Sequence, residues 1–180
     1  MKTTRSTFTL LLVATTFGLT ATLDAQTPDF DQARDDTVAV LQDLIRLDTS
    51  SPPGNETLAA EYVKRALDAA EIPSRIVALD ASRANLIGRL DGDGSKRPLL
   101  LMAHTDVVGV EADDWSVDPF GGEIRDGFVY GRGASDDKGQ LAAMVQVMRM
   151  LQRLQIPLAR DVILLAESGE EGTTEVGIDF

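Results

Sequence analysis

The sequence contains no cysteine and only one histidine among its 180 residues. Disulfides therefore cannot stabilise the fold, and any zinc site must use nitrogen and oxygen ligands. Basic residues are also scarce, 17 against 29 acidic ones, which gives a formal net charge of -12. A nucleic-acid-binding face needs clustered lysine and arginine, so this balance argues against nucleic acid as a partner.

Long apolar runs are missing as well. The longest apolar run near the start, residues 8–21, is interrupted by threonines, and a membrane-spanning helix needs about 20 apolar residues. We therefore expect no stable membrane insertion. Lys2 and Arg5 precede this run and Ala25 follows it, which is the pattern of a secretory signal. We predict that residues 1–25 are a signal peptide and that the protein is exported, either periplasmic or secreted. The alternative is an uncleaved membrane anchor.

The rest of the chain has the composition of a globular domain, with 43% apolar and 26% charged residues. Apolar residues recur at helical spacing in 37–47, 57–70 and 139–154, after a polar lead-in at 26–35. Strand-like segments occupy 75–79, 85–90, 98–103 and 161–166. This alternation predicts an α/β fold with a mixed, largely parallel sheet flanked by helices.

Three local features refine that prediction. The turn sequence DGDG at 91–94 predicts a hairpin between strands 85–90 and 98–103. The unbroken apolar run in 98–103 predicts a strand buried on both faces. The long loop from 107 to 137, in which 127–130 has strand character, is of the length that is usually functional or disordered.

Polar groups follow these elements at three places. HTD at 104–106 follows one strand, SDDKG at 135–139 begins the last helix, and ESGEEG at 167–172 follows the next strand. Ligand sites in open α/β sheets lie beyond the carboxyl ends of parallel strands, so we expect these groups to meet at one rim.

Each group has a chemical and an ordinary interpretation. His104 could bind a metal through one ring nitrogen while Asp106 accepts the other N–H, or it could be a satisfied strand-end histidine. One carboxylate of the pair Asp136 and Asp137 could bridge two cations, with Lys138 neutralising part of the pair, or Asp136 could cap the helix. In the last group, one glutamate could bind metal while the other moves protons, or both could simply begin an acidic helix.

Together the motifs resemble the co-catalytic zinc peptidase and deacylase family that includes glutamate carboxypeptidase, acetylornithine deacetylase, succinyl-diaminopimelate desuccinylase, aminoacylase and carnosinase. The resemblance rests on HTDVV at 104–108, GRGASDDKG at 131–139, EEG at 170–172 and the opening segment IRLDTSSPPGNE at 45–56. It implies that His104 and Glu171 are metal ligands and that Asp136 bridges two ions. It further implies that Asp106 orients the histidine, that Glu170 is the general base, and that the 136–137 peptide bond is cis.

The resemblance also implies a reaction. Two divalent ions, zinc or alternatively cobalt or manganese, would activate water to hydrolyse an amide bond in a small peptide or N-acyl amino acid. Residues 26–180 would form the N-terminal portion of the catalytic domain, without the remaining catalytic segment or the lid domain that could form a homodimer. We therefore expect the 180 residues alone to be inactive. The alternatives are hydrolysis of an ester or carbamate, a non-catalytic metal-binding or receptor-like relative, and a plain α/β domain whose acidic loops bind nothing.

Overall fold

The computed structural model describes residues 27–180, so the predicted signal peptide lies outside the described residues. The α-helices are α1 (Phe30–Ile45), α2 (Thr57–Asp68) and α3 (Lys138–Arg153), and short 3-10 helices span Ala112–Asp114 and Thr174–Val176. The strands are β1 (Ser50–Ser51), β2 (Ser74–Val77), β3 (Asn85–Leu90), β4 (Leu99–His104), β5 (Val107–Val108), β6 (Glu123–Arg125), β7 (Phe128–Tyr130) and β8 (Val162–Glu167). Across residues 27–180, none of these helices combines the length and apolar character that crossing a bilayer requires.

The main sheet has the strand order β2-β3-β8-β4. β3 runs antiparallel to β2 and β8, whereas β4 and β8 are parallel and α3 precedes β8 in the connection between them. Two smaller two-stranded sheets pair β1 with β5 in parallel and β6 with β7 in antiparallel orientation. The α/β prediction with a mixed sheet is therefore confirmed, and so is the parallel pair of strands joined through a helix. The main sheet is not largely parallel in the described residues, since two of its three strand pairings are antiparallel.

The core lies between one face of the main sheet and the α-helices. Alternate residues of a strand point to opposite faces, and in β8 Leu164 is fully buried in the core while its neighbours Ile163 and Leu165 are only half-buried. The core side chains contributed by the helices are fully or almost fully buried and include Val40, Leu44, Ala59, Val63, Leu67, Leu141, Val145 and Met148. The helices and the sheet therefore share one core, in which α2 and α3 contact the strands and α1 packs on α3.

The predicted hairpin between β3 and β4 is wrong, because β8 lies between these strands. The turn segment instead bonds to the chain that leads into β8. The backbone N–H of Gly92 donates to the carboxylate of Asp161, and that of Asp93 donates to the carbonyl of Leu158. A Cβ on Gly92 would lie 2.3 Å from the Arg160 backbone, so this close approach requires glycine.

Two further predictions are corrected, one about the burial of a strand and one about the start of a helix. Strand 98–103 is not buried on both faces, since Leu100 and Met102 are 51% and 43% exposed. Among the described residues, β4 also lies at one edge of the main sheet. The polar lead-in at 26–35 mostly belongs to α1, which begins at Phe30 because the Asp29 carboxylate accepts the Gln32 N–H at 2.9 Å and caps the helix.

Candidate metal centre

Two parallel strands bring the first and third polar groups together. β4 ends at His104 and β8 ends at Glu167, and these two residues are partners in the strand register. The opening segment packs beside them, because β1 pairs with β5 and the Thr49 hydroxyl donates to the Thr105 carbonyl at 2.6 Å. The rim at the carboxyl ends of β4 and β8 is therefore built from several distant segments, as the sequence predicted.

His104 is buried at this rim with both ring nitrogens engaged. Its Nδ1 lies 3.0 Å from the backbone carbonyl oxygen of Asp106 and 3.5 Å from that residue's carboxylate. Its Nε2 lies 2.9 Å from the Asp136 carboxylate. A carbonyl oxygen can only accept, so the proton on Nδ1 is fixed by the backbone and Nε2 faces the acidic groups.

The charge state of His104 follows from these neighbours. Burial lowers the pKa of the imidazole, but hydrogen bonds to Asp106 and Asp136 outweigh it and raise the pKa to about 10. A histidine in this setting holds a second proton on Nε2 when nothing else neutralises the carboxylates. A cation at the same position would take the place of that proton.

The three predicted metal ligands converge. One ligand atom each from His104, Asp136 and Glu171 lies within 4.8 Å of the other two. Each zinc bond to nitrogen or oxygen is about 2 Å long, so these atoms are within reach of one or two shared ions. Asp136 is 78% exposed and does not cap α3, whose N-cap is Asp137. The 136–137 peptide bond is cis, as the resemblance implied.

Asp106 has a second contact that the sequence did not predict. Its fully buried carboxylate accepts the backbone N–H of Glu171 at 2.9 Å and that of Glu170 at 3.2 Å. Burial raises the pKa of Asp106, but hydrogen bonds from His104 and from the Glu171 N–H outweigh it and lower the pKa. Asp106 therefore links the histidine to the loop that carries both glutamates.

The glutamates differ in their surroundings. Glu170, the predicted base, is 54% exposed, with a carboxylate oxygen 3.8 Å from His104 Nε2. Burial, followed by the nearby carboxylates of Asp136 and Glu170, raises the pKa of Glu171 against the lowering effect of His104. Crowded carboxylates of this kind are stabilised by a bound cation.

Lys138 does not neutralise the acidic pair as predicted. Its side chain is fully buried and its ammonium donates to the carbonyl of Leu47 at 2.8 Å. Burial lowers the pKa of Lys138 to about 8, although Asp48 and Asp106 act in the opposite direction. The lysine therefore ties the start of α3 to the opening segment and leaves the exposed carboxylate of Asp136 facing His104.

The sequence placed Glu167 in the third polar group but assigned it no role at the rim. Its side chain is buried, one of its carboxylate oxygens has no hydrogen-bond partner among the described residues, and burial raises its pKa. A charged residue that ends an otherwise apolar strand, as in VILLAE, was the available signal.

The donor set fits a divalent cation. One imidazole nitrogen and several carboxylates, without any thiolate, suit zinc, cobalt or manganese. Hydrogen bonds to carboxylates raise the pKa of His104 against the effect of burial, whereas burial and then nearby carboxylates raise the pKa of Glu171. The predicted roles of the individual residues stay predictions, but the arrangement brings all five of them to one rim.

Comparison with known proteins agrees with this geometry. Residues 100–179 match the model of peptidase family M20/M25/M40. Over 138 residues, the chain is 37% identical to a "Probable succinyl-diaminopimelate desuccinylase" of Staphylococcus epidermidis, covering 76% of this chain and 33% of that protein. Over 145 residues, it is 31% identical to an N-formyl-4-amino-5-aminomethyl-2-methylpyrimidine deformylase of Halalkalibacterium halodurans, covering 78% of this chain and 34% of that protein.

Among solved structures, the fold is similar to that of the M20 family metallo-carboxypeptidase Sso-CP2 from Sulfolobus solfataricus. The TM-score is 0.68 at 22% identity, over 81% of this chain and 33% of that one. The chain spans about one third of the length of the curated relatives it matches. The predicted resemblance is therefore confirmed: residues 100–179 match peptidase family M20/M25/M40, the curated relatives are similar over most of this chain, and the fold is that of the family's solved structures.

Proposed function

We propose that the protein is a metal-dependent hydrolase that cleaves an amide bond in a small peptide or an N-acyl amino acid. The observation that carries the proposal is the convergence of His104, Asp136 and Glu171 within 4.8 Å at the carboxyl ends of β4 and β8. The two curated relatives are named a desuccinylase and a deformylase. Both names describe removal of an acyl group, which supports an N-acyl amide as the bond that is cut.

We further propose that the site holds two ions, of which zinc is the best candidate and cobalt or manganese the alternatives. His104 and Glu171 would each hold one ion, and the exposed carboxylate of Asp136 would contact both. When bound, the ions supply Lewis acidity that lowers the pKa of water and stabilises an oxyanion.

The remaining steps belong to side chains of this chain. Glu170 would accept a proton from the attacking water and pass it to the leaving amine. Its position supports this role, because its carboxylate lies 3.8 Å from His104 Nε2 and is open to solvent. Asp106 would keep the imidazole oriented and, through the N–H groups of Glu170 and Glu171, hold the base and the ligand at a fixed distance from it.

Metal binding by the 180-residue chain tests the ligand assignment. We expect His104→Ala, Asp136→Asn and Glu171→Gln each to weaken zinc or cobalt binding by about tenfold or more, as measured by equilibrium dialysis. Glu175→Gln is the matched control, since it removes one exposed carboxylate from the same loop and is expected to leave binding unchanged. Undiminished binding in the three ligand variants would refute the site.

The role of Glu170 needs a second measurement. In a protein that spans the full length of the curated relatives, Glu170→Gln should retain bound metal but lose about 100-fold or more of its amide hydrolysis. If both variant and parent bind metal and neither hydrolyses any member of an N-acyl and dipeptide panel, the protein is a non-catalytic relative of the same fold.

We also propose export, on the basis of residues 1–25. Expression in a bacterial host followed by mass measurement of the mature chain would show cleavage near residue 25. A chain that keeps its first 25 residues and fractionates with the membrane would contradict cleavage and favour an anchor.

A further inference from the structure

Beyond the ligands, a buried asparagine is hydrogen-bonded to both ends of the loop that carries both glutamates. We infer that Asn85 is a positioning residue, which fixes the segment 168–176 so that Glu170 and Glu171 face His104. The inference rests on the proposed function, because it assigns Asn85 a role in holding the ligand and the base. Asn85 lies at the start of β3 and is 2% exposed.

The amide of Asn85 connects the two ends of this segment. Its Oδ1 accepts the backbone N–H of Ser168 at 2.9 Å, and its Nδ2 donates to the carbonyl of Val176 at 2.6 Å. The side chain must donate at one end and accept at the other, which asparagine does and aspartate or leucine cannot do. Both partner residues are buried, and the Val176 carbonyl has only one other hydrogen bond within residues 27–180, a longer one of 3.3 Å from the Ser168 hydroxyl, so loss of either Asn85 bond weakens the attachment of a buried polar group.

The segment between these ends is too tightly folded to move independently of them. A Cβ on Gly169 would lie 2.2 Å from the Thr173 carbonyl oxygen, and one on Gly177 would lie 2.0 Å from the Ser168 carbonyl oxygen. The N–H groups of Gly172 and Thr173 both donate to the Gly169 carbonyl. A shift at Ser168 or Val176 is therefore transmitted to the two glutamates.

The second attachment of the segment is the site itself. Asp106 accepts the N–H groups of Glu170 and Glu171, so the segment is bonded to the Asp106 carboxylate at the glutamates and to the Asn85 amide at its two ends. Asp106 alone fixes two backbone groups, whereas Asn85 fixes both ends of the segment. The distance from the Glu171 carboxylate to His104 is therefore determined in part by a residue that contacts neither.

Exchanging one asparagine at a time tests the inference, since the chain has only two. Asn85→Asp keeps the acceptor for Ser168 but places an oxygen against the Val176 carbonyl, and Asn55→Asp makes the same chemical change at an exposed position. In the full 180-residue chain, we expect Asn85→Asp to speed amide hydrogen exchange at Glu170 and Glu171 by about tenfold. We expect it to weaken binding of the Glu171-dependent ion by about tenfold, and we expect no change in Asn55→Asp.

A double-mutant comparison separates positioning from general destabilisation. If Asn85 acts through Glu171, Asn85→Asp costs no further zinc affinity in a chain that already carries Glu171→Gln. An equal loss of affinity with and without Glu171, or faster exchange throughout the sheet, would overturn the inference. If Asn85→Asp does not fold, the neutral variant Asn85→Ser, which keeps only one hydrogen-bonding group, is measured in its place.

Failure of the proposed function gives a different pattern. If Glu171→Gln alone leaves zinc binding unchanged, the ligand assignment fails. The exchange rates of the two amides then still decide whether Asn85 positions the segment. Unchanged exchange in Asn85→Asp or Asn85→Ser would overturn the inference whatever the metal data are.

Discussion

The two faces of the main sheet have opposite environments although the same strands form them. On the helix-covered face Leu164 is fully buried and Ala103 is 3% exposed, whereas on the opposite face Leu100 and Met102 are 51% and 43% exposed. The candidate metal centre continues the open face, since His104 follows Leu100 and Met102 at two-residue spacing. One face of the sheet therefore stabilises the fold, and the other carries the candidate metal centre at its end.

The largest loss of stability is expected when side-chain volume is removed from the face of the sheet that the helices cover. We expect Leu164→Ala to lower the free energy of unfolding by about 2–5 kcal/mol, because the cavity is enclosed by helices and cannot collapse fully. Urea denaturation followed by circular dichroism measures the change.

Leu165→Ala is the matched control, one residue along the same strand and half-buried on the opposite face. It should cost about 1 kcal/mol or less. Equal losses in the two variants would mean that the open face is covered in solution, for example by a second copy of the chain.

The difference between the faces explains why sequence patterns predicted some features and not others. The helix periodicity and the order of β4, α3 and β8 were predicted, because each depends on residues close together in the chain. The placement of β8 between β3 and β4 was not, since it depends on bonds between residues 91–96 and residues 158–161. The apolar run of β4 indicated burial on both faces, but the run itself carries no information about which neighbours cover it.

In the candidate site, too, some features could be predicted from the sequence and others could not. The order of strands and polar groups predicted that the three groups would meet, since parallel strands place their carboxyl ends at one rim. The resemblance implied which of their residues, His104, Asp136 and Glu171, are the ligands. The bonds from Glu170 and Glu171 to Asp106 are made by backbone N–H groups, which no side-chain pattern reveals. The same holds for Lys138, whose partner is the Leu47 carbonyl and not the neighbouring aspartates.

A smaller loss of stability is expected when a hydrogen bond between two helices, α1 and α2, is removed. Tyr62 of α2 donates to the Asp43 carboxylate of α1 at 3.0 Å, and burial followed by this hydrogen bond raises the pKa of the phenol to about 12. Tyr62→Phe should cost about 1 kcal/mol near neutral pH.

The contribution of Tyr62 to the stability of the folded chain should decrease at alkaline pH. The folded chain keeps the phenol proton to higher pH than the unfolded chain, whose tyrosine pKa is about 10, so stability is lost as the pH rises from about 10 to about 12. Comparison of urea midpoints at pH 8 and pH 11 should show a smaller decrease in Tyr62→Phe than in the parent. Identical decreases would mean that Tyr62 does not contribute to the alkaline loss.

The smallest change in stability is expected on the open face, where the effect should be on association. Met102→Gln replaces an apolar side chain that is 43% exposed and should alter the free energy of unfolding by no more than about 0.5 kcal/mol. Because Leu100 and Met102 form a contiguous apolar surface, the variant should self-associate less than the parent in sedimentation velocity.

Val147→Gln, on α3 and 46% exposed, is the control with similar exposure. If both variants reduce self-association equally, exposed apolar residues in general cause the association, and the open face is not a preferred contact surface. A reduction confined to Met102→Gln would assign the association to the face that the helices leave uncovered.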